Sequence, residues 1–403
     1  MTRKAFIALS VAMLALTSRG FGNAKKFFSE EIIINILNGL PLKSLARCSS
    51  VSKNWRKYIA EIYRSRLQWP KPYLFGFFCV EKRLRSRFFF SSKESPLLIG
   101  NSLDESVDFI GERVYIVASS NGFLLCNKLR SRQRVYYVYN PATRQRFDLP
   151  RTQISMKDPY VGLIVKETDE SVSFTIVRYE VTSPVSRIKF RFQYSLTIES
   201  YSSETKEWTA NSLIEDVPFP LYPSRDEISS SSAGVLDGVF FWLDNYGQWM
   251  TVYDSVNKDF RALELPERRT VIYPGYCCLG LSGGKICLAS TGWTTITCWQ
   301  LNNFPSRDAV WVRKYAVNVA SVVEKCEQDF GLGGGSSLDR ELRNMIFHPA
   351  LSHMLYLQIR SMVISYDLET NTAEFVYDFG EAWRKTIHYK LFSYEWPQWP
   401  RLQ

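Results

Sequence analysis

Apolar residues between Ser29 and Trp55 fall at helical spacing in three short runs separated by turn signals. Ile32, Ile33, Ile36, Leu37 and Leu40 follow the i, i+1, i+4, i+5, i+8 pattern of one helical face, with Ser29 placed to cap the N-terminus and Glu30 and Glu31 suited to the positive end of the dipole. Asn38, Gly39 and Pro41 end this run. A second starts after Pro41 with Leu42, Leu45 and Ala46, and a third, from Val51 to Leu67, carries Val51, Trp55, Ile59 and Ile62. Three helices of this size bury too little apolar surface to be very stable alone. The pattern therefore predicts either a docking module whose Ile and Leu side chains seek a partner or a helical subdomain packed on the rest of the chain.

Beyond residue 70 the pattern becomes short and alternating. Arg113 to Ala118, Gly122 to Cys126, Arg134 to Tyr139, Val172 to Tyr179, Phe190 to Ser200, Val239 to Leu243, Met250 to Tyr253, Lys285 to Ala289 and Met354 to Ile359 read as strands, and no long helix is predicted between them. Four places share a Tyr, a small or polar residue, a short turn and an aromatic that restarts a strand: Tyr139-Asn140 with Phe147, Tyr201-Ser202 with Trp208, Tyr253-Asp254 with Phe260, and Tyr366-Asp367 with Phe375. A looser copy runs from Trp299 to Trp311. Upstream of several lies another turn, at Asn121-Gly122, Asp237-Gly238, Gly283-Gly284 and Ser352-His353. Successive Tyr or Trp markers are 46 to 67 residues apart, which suits the blades of a β-propeller with loop insertions. A pair of β-sandwiches with similar hairpins is the alternative, and the consistent internal order of the repeat favours the propeller. The number of blades stays open.

Composition agrees with a β-rich fold, since aromatics reach 15% while charged residues are 22%. Charge is uneven. Residues 1 to 93 hold 18 Lys and Arg against four Glu, a net of +14, and the remainder holds 32 basic against 36 acidic residues, a net of −4. A basic N-terminal quarter suits nucleic acid or an anionic surface. No zinc-finger spacing, RRM signature or Gly-x-x-Gly clamp accompanies it, and Arg83, Arg85 and Arg87 with Phe88, Phe89 and Phe90 read equally as an exposed strand and loop, so nucleic acid is not expected as a partner.

Eight cysteines without a Cys-x-x-Cys pair predict reduced, mostly buried thiols, and three histidines, His348, His353 and His388, give little for a metal site; neither metal nor cofactor is expected. Catalytic motifs are equally sparse. Gly331-Leu332-Gly333-Gly334-Gly335-Ser336 lacks the lysine of a phosphate loop, Asp216 and Glu227 read as solvated charge, and a Cys287–His348 nucleophile pair has nothing to order it. Arg3 and Lys4 ahead of an apolar run from Ala5 to Leu16, with Gly22-Asn23-Ala24 after it, match a secretory signal; twelve apolar residues are too few to span a bilayer. An uncleaved N-terminal extension is the other reading of this segment.

The order Glu-Glu-Ile-Ile-Ile-x-Ile-Leu-x-x-Leu-Pro-x-Lys-Ser-Leu-x-Arg-Cys-x-x-Val-Ser-Lys-x-Trp, from Glu30 to Trp55, resembles the F-box, through which substrate receptors join Skp–cullin–F-box ubiquitin ligases. Where that family usually opens with Leu-Pro, this chain has Phe28-Ser29. The segments SSNGFLLCNK, YYVYNPATRQRFDLP, GVLDGVFFWL, VYDSVNKDFRALELP and SYDLETNTAEFVYDFG are similar to the F-box-associated, Kelch-like region of the large plant family of F-box proteins. The resemblance covers residues 28 to 390.

It implies a small all-α three-helix F-box followed by an all-β Kelch-like propeller: an extension over 1–26, the F-box over 27–68, a linker and first strands over 69–112, and the propeller over 113–395. By the same resemblance Ile32, Ile33, Ile36, Leu37, Leu40, Pro41, Leu45, Val51 and Trp55 form the surface that meets a Skp-family adaptor and the small core behind it. The adaptor brings a cullin, the propeller holds a target protein for ubiquitination, and the chain itself is no enzyme. The expected compartment is the cytoplasm or nucleus. If residues 1–24 act as a signal, the alternative is a secreted Kelch-like propeller that binds glycan or protein.

Overall fold

The computed structural model describes residues 29–40, 45, 48, 52–66, 74–81, 86–92, 115–127, 135–141, 145–157, 159–167, 171–181, 186–188, 191–217, 234–244, 249–266, 277–292, 294–306, 308–331, 342–380 and 389–395. The chain divides into two compact units, one carrying the helices before residue 69 and the other carrying the strands. The signal-like segment 1–24, the Trp69–Pro72 linker and the Ser229–Ser232 loop lie outside the described residues.

In the helical unit, α1 spans Glu30–Asn38 and α2 spans Lys53–Arg66. Leu45 and Cys48 between them are also helical. Ser29 takes the cap position of α1 with extended backbone, but its side chain makes no cap hydrogen bond; its carbonyl accepts from Ile32 and Ile33 instead. The working side-chain cap is Ser52, whose Oγ accepts from the Trp55 N–H at 3.1 Å at the start of α2.

The strand unit is a six-bladed propeller. Its first strands in the chain are β1 (Leu74–Glu81) and β2 (Ser86–Phe90). The first complete blade is β3 (Tyr115–Ser120), β4 (Phe123–Asn127), β5 (Tyr136–Asn140) and β6 (Gln145–Asp148). The second is β7 (Tyr160–Glu167), β8 (Val172–Val181), β10 (Arg191–Ser202) and β11 (Glu207–Val217), with the short β9 (Ser186–Ile188) paired to the far end of β10. Blade three is β12 (Gly234–Leu236), β13 (Val239–Leu243), β14 (Trp249–Asp254) and β15 (Asp259–Glu264). Blade four is β16 (Cys277–Ser282), β17 (Lys285–Thr291), β18 (Thr295–Asn302) and β19 (Val310–Asn318), after which comes α3 (Val319–Phe330). Blade five is β20 (Leu342–Phe347), β21 (Met354–Ile359), β22 (Met362–Asp367) and β23 (Thr372–Asp378). The last blade joins β24 (Tyr389–Glu395) to β1 and β2, in the order β24-β1-β2.

Neighbouring blades touch through β3 to β7, β7 to β12, β12 to β16, β16 to β20, β20 to β24 and β24 back to β3, so these six strands form the inner ring. Closure therefore depends on a blade built from both ends of the β region. The Ser119 hydroxyl on β3 donates to the Ser393 carbonyl on β24 at 2.9 Å and locks the seam. Phe75, Phe77, Phe78, Phe88, Phe89 and Tyr394 are buried in the closing blade, many of them edge to face. Gly76 leaves room for this packing, since a Cβ there would lie 2.4 Å from the Phe89 carbonyl oxygen.

The repeat read from the sequence maps onto the blades. Tyr139, Tyr201, Tyr253, Trp299 and Tyr366 all lie on third strands, and Phe147, Trp208, Phe260, Trp311 and Phe375 on fourth strands. Asn121-Gly122, Asp237-Gly238 and Gly283-Gly284 join first strands to second strands, and all six residues have positive φ, the conformation a tight two-residue hairpin requires. Asp254 and Asp367 close the next turns by accepting two backbone N–H groups each, from Val256 and Asn257 and from Glu369 and Thr370.

Two expectations need correction. The Phe88–Phe90 segment is not an exposed strand and loop: it belongs to β2, with Phe88 and Phe89 buried against β1 and blade five. β1 and β2, the strands within 69–112, pair with β24 in the closing blade. A helix does interrupt the strands, because Val319, Val322, Val323 and Cys326 form a buried face on α3, capped by Asn318 Oδ1 and ended by Gly331 in the left-handed conformation.

One buried ion pair organises the path from blade one to blade two. Arg178 on β8 and Glu199 on β10 are both fully buried, and Arg178 Nε donates to Glu199 Oε2 at 2.7 Å. The other Glu199 oxygen accepts from the Gln153 N–H at 2.6 Å, and an Arg178 terminal nitrogen donates to the Ile154 carbonyl. Trp208 Nε1 donates to the Pro150 carbonyl at 2.9 Å, and Gln153 Nε2 donates back to the Trp208 carbonyl at the same distance. The crossover between β6 and β7 is thus pinned to the strands of blade two.

Candidate functional site

The helical unit separates the candidate residues into two groups. Leu37, Leu40 and Leu45 are at most 7% exposed and form a core with Ile59 and Ile62, against which Ile33, Cys48, Trp55 and Tyr58 pack. Ile33 and Leu37 sit at i and i+4, which explains why they share the inward side of α1, and Leu40 follows just past its C-cap. Ile32 is 46% exposed. Ile36, four residues on, is half-buried and outside that core, as is Ile34, which the sequence pattern did not single out. The signal for Ile34 was its place in the unbroken Ile32–Ile34 run, one step off the counted face. Pro41 and Val51 lie outside the described residues.

Polar side chains around this apolar flank are solvated. Glu30 and Glu31 are exposed on the first turn of α1, and Lys53, Arg56 and Lys57 are exposed on the first turns of α2. Tyr58 hydrogen-bonds to Glu30 across the two helices, and that carboxylate raises the phenol pKa. The arrangement offers an apolar flank led by Ile32 in a module with exposed acidic and basic groups, and among the described residues it carries no nucleophile paired with a base.

The propeller offers no catalytic constellation among the described residues. Cys287 and His348, the pair considered from sequence, are each used structurally. Burial pushes the Cys287 thiol up to about 12, and His348 Nδ1 accepts the backbone N–H groups of Ala350 and Leu351 at 3.0 and 3.1 Å. All eight cysteines are free, and burial raises Cys126, Cys298 and Cys326 to about 12, so they stay as thiols at neutral pH. Among the described residues no group of three or more His, Cys, Asp and Glu side chains is placed to hold a metal. The side chains of Arg83, Arg85, Arg87, Asp216 and Glu227 lie outside the described set. No helix among the described residues is long and apolar enough to cross a membrane.

His348 is expected to make the fold sensitive to mild acid. Burial, with His353 nearby, lowers its pKa from 6.5 to about 4, in keeping with an Nδ1 that must stay unprotonated to accept its two bonds. A lowered histidine pKa stabilises the folded state above the unfolded value of 6.5, and that contribution disappears as pH falls from 6.5 towards 4. Stability should drop by about 2 kcal/mol between pH 7 and pH 5 through this group. Urea unfolding at the two pH values checks it, and His348→Asn, whose amide oxygen can accept the same N–H groups, should flatten the dependence.

Comparison with known proteins agrees with both units. An F-box domain model matches residues 28–64, and the model of the F-box protein At3g26010-like β-propeller matches residues 99–393, most of the chain. F-box protein At5g03970 of Arabidopsis thaliana is 24% identical over 364 residues, covering 86% of this chain and 82% of its own length. F-box protein At5g49610 of the same plant is 35% identical over 253 residues, covering 60% and 65%. Among solved structures, U3-55K aligns over 66% of each chain with 9% identity and a TM-score of 0.35, and the RRP9 WD40 repeats align over 76% of this chain and 80% of theirs with 9% identity and 0.37. With most of the helical module inside one family match and five complete blades of the ring inside the other, the chain belongs to the F-box proteins that carry an At3g26010-like β-propeller.

Proposed function

We propose that this F-box protein is the non-catalytic substrate receptor of a Skp–cullin–F-box ubiquitin ligase, docking a Skp-family adaptor through α1 and holding a target protein on the propeller. The observation that carries the reading is the flank of α1 led by Ile32, an apolar surface that the module's own core does not use, within the residues matched by the F-box model. Burying an isoleucine against a partner contributes about 1.5–3 kcal/mol, enough for one side chain to matter to the complex. Exposed Lys53, Arg56 and Lys57 would steer an acidic adaptor towards the same module and make association faster at low salt. The receptor needs no bond-making residue. It raises the local concentration of target lysines beside a ubiquitin thioester carried by the cullin assembly. Such a complex works in the cytoplasm or nucleus.

Co-purification of the full chain with a Skp-family adaptor tests the reading. Ile32→Asp should reduce capture at least about ten-fold, because it loses apolar burial and forces a carboxylate into the contact, while leaving the urea midpoint unchanged. Leu37→Ala and Leu40→Ala do not discriminate, since both side chains belong to the core of the module. Undiminished capture by Ile32→Asp would sink the proposed surface, and no capture by the parent chain would sink the receptor role.

A further inference from the structure

Each blade of the propeller ends in an outer strand with one unpaired edge, and three of these edges are blunted. β6 is four residues long and exposes Arg146 and Asp148; β15 exposes Asp259 and Glu264; β23 exposes Glu374 and Asp378. Short length and charge on an edge discourage another chain from adding to it. β19 is not short, and all of its charge is of one sign, from Arg313 and Lys314. It runs for nine residues, pairs through β18 alone, and carries no carboxylate.

Its exposed side chains have a definite chemistry. Val310 is 56% and Val312 37% exposed, two of the five large apolar side chains exposed among the described residues. Both lie on one face of the strand, opposite Asn302 and Gln300 of β18. Arg313 and Lys314 follow at a bulge and are also exposed, without an ion-pair partner among the described residues. The half-buried neighbours hold the strand in place. Trp311 Nε1 donates to the Glu264 carbonyl of blade three at 3.2 Å, and the Tyr315 hydroxyl donates to Glu369 of blade five at 2.8 Å. The edge is therefore rigid, apolar at one end and positive in the middle.

We propose that β19 is a docking edge for an extended segment of a target protein in which branched apolar residues alternate with acidic ones, added as a fifth strand to blade four. Main-chain hydrogen bonds to the free edge supply affinity, Val310 and Val312 select branched side chains on one face, and Arg313 and Lys314 select carboxylates. Edge addition needs no pocket and reads chemistry at alternate positions. Charge complementarity decides the occupant here, because a neutral or basic strand would leave two cations beside the new strand uncompensated. The assignment of the segment to a target rests on the receptor reading; the edge chemistry stands apart from it.

The test uses the full chain co-expressed with its adaptor and fluorescein-labelled peptides that alternate Glu with Val or Lys with Val. The Glu–Val peptide should bind, lose affinity as salt rises, and slow amide hydrogen exchange along Val310–Asn318; the Lys–Val peptide should not bind. Arg313→Glu with Lys314→Glu should lower Glu–Val affinity at least about ten-fold with an unchanged urea midpoint, and Val310→Thr with Val312→Thr should lower it by a smaller factor. Absent binding, equal binding of both peptides, or binding that leaves β19 exchange unaltered overturns the proposal. So does a concentration-dependent dimer lost in the valine variants, which would make the occupant a second copy of this chain. Adaptor capture by the same preparations reports on the receptor role alone, so either idea can fail without the other.

Discussion

A chain that ends at His388 is expected to lose the cooperative folding of the whole propeller. The missing strand, β24, is the inner strand of its blade and touches both β20 and β3, so its removal opens the ring at two contacts. Buried Leu391, Phe392 and Tyr394 go with it, at about 1.5–3 kcal/mol each. The sum is comparable to the about 5–15 kcal/mol that separates a typical domain from its unfolded state. β1 would also lose its inner partner along seven registered pairs and expose Phe77 and Phe78. Urea unfolding followed by near-ultraviolet circular dichroism should show a shallow transition or none. A permuted chain separates topology from composition. Because Leu74 lies opposite Glu395, a short turn can join β24 to β1 and place β2 last, and that chain, starting ahead of β3, should unfold close to the parent midpoint. A truncated chain with the parent midpoint would show that blade closure contributes little.

The second large effect is expected from Arg178→Ala. Both members of the Arg178–Glu199 pair are fully buried, so removing the guanidinium leaves a carboxylate in the interior with the Gln153 N–H as its remaining partner. Breaking such a pair from one side costs about 3–5 kcal/mol. Arg178→Met with Glu199→Leu, which takes away both charges and keeps much of the volume, should recover most of that loss, because a buried pair is often replaced by apolar groups at small net cost. A drop in urea midpoint for the single variant and its recovery in the double is the expected record. Equal destabilisation by the single and double variants would mean that the links to Gln153 and Ile154 matter more than the charge balance. In either case the crossover between β6 and β7 loses its tether, and exchange of the Gln153 amide should quicken.

The blade pattern was readable in the sequence because its determinants are local. Asn121-Gly122 and Asp237-Gly238 supply the positive φ of a two-residue hairpin, and Asp254 and Asp367 follow their tyrosines at the point where a turn must be closed. The features that escaped depend on distant partners or on a choice of side. Nothing within β1 marks it as the neighbour of β24, since the pairing is made across nearly the full length of the propeller. α3 has apolar residues at helical spacing between Asn318 and Gly331, but its three valines also suit a strand, and burial between blades four and five decided the matter. Periodicity placed Ile32, Ile33, Ile36, Leu37 and Leu40 on one broad face; packing against Ile59 and Ile62 then divided that face, leaving Ile32 outward. Arg178 and Glu199, charged residues in alternating strands, carry no local sign of burial, and only the crossover lying over them explains it.

A blade shared between the two ends of the β region also sets a clock for biosynthesis. Phe90 leaves the ribosome about 300 residues before Tyr389 is made, an interval of roughly 15–60 s at about 5–20 residues per second. Through that time the phenylalanine faces of β1 and β2 have each other but no inner strand, and among the described strands this nascent hairpin has the longest wait for its native partner. Chaperone demand during synthesis should therefore concentrate on residues 74–90 and end abruptly once β24 emerges.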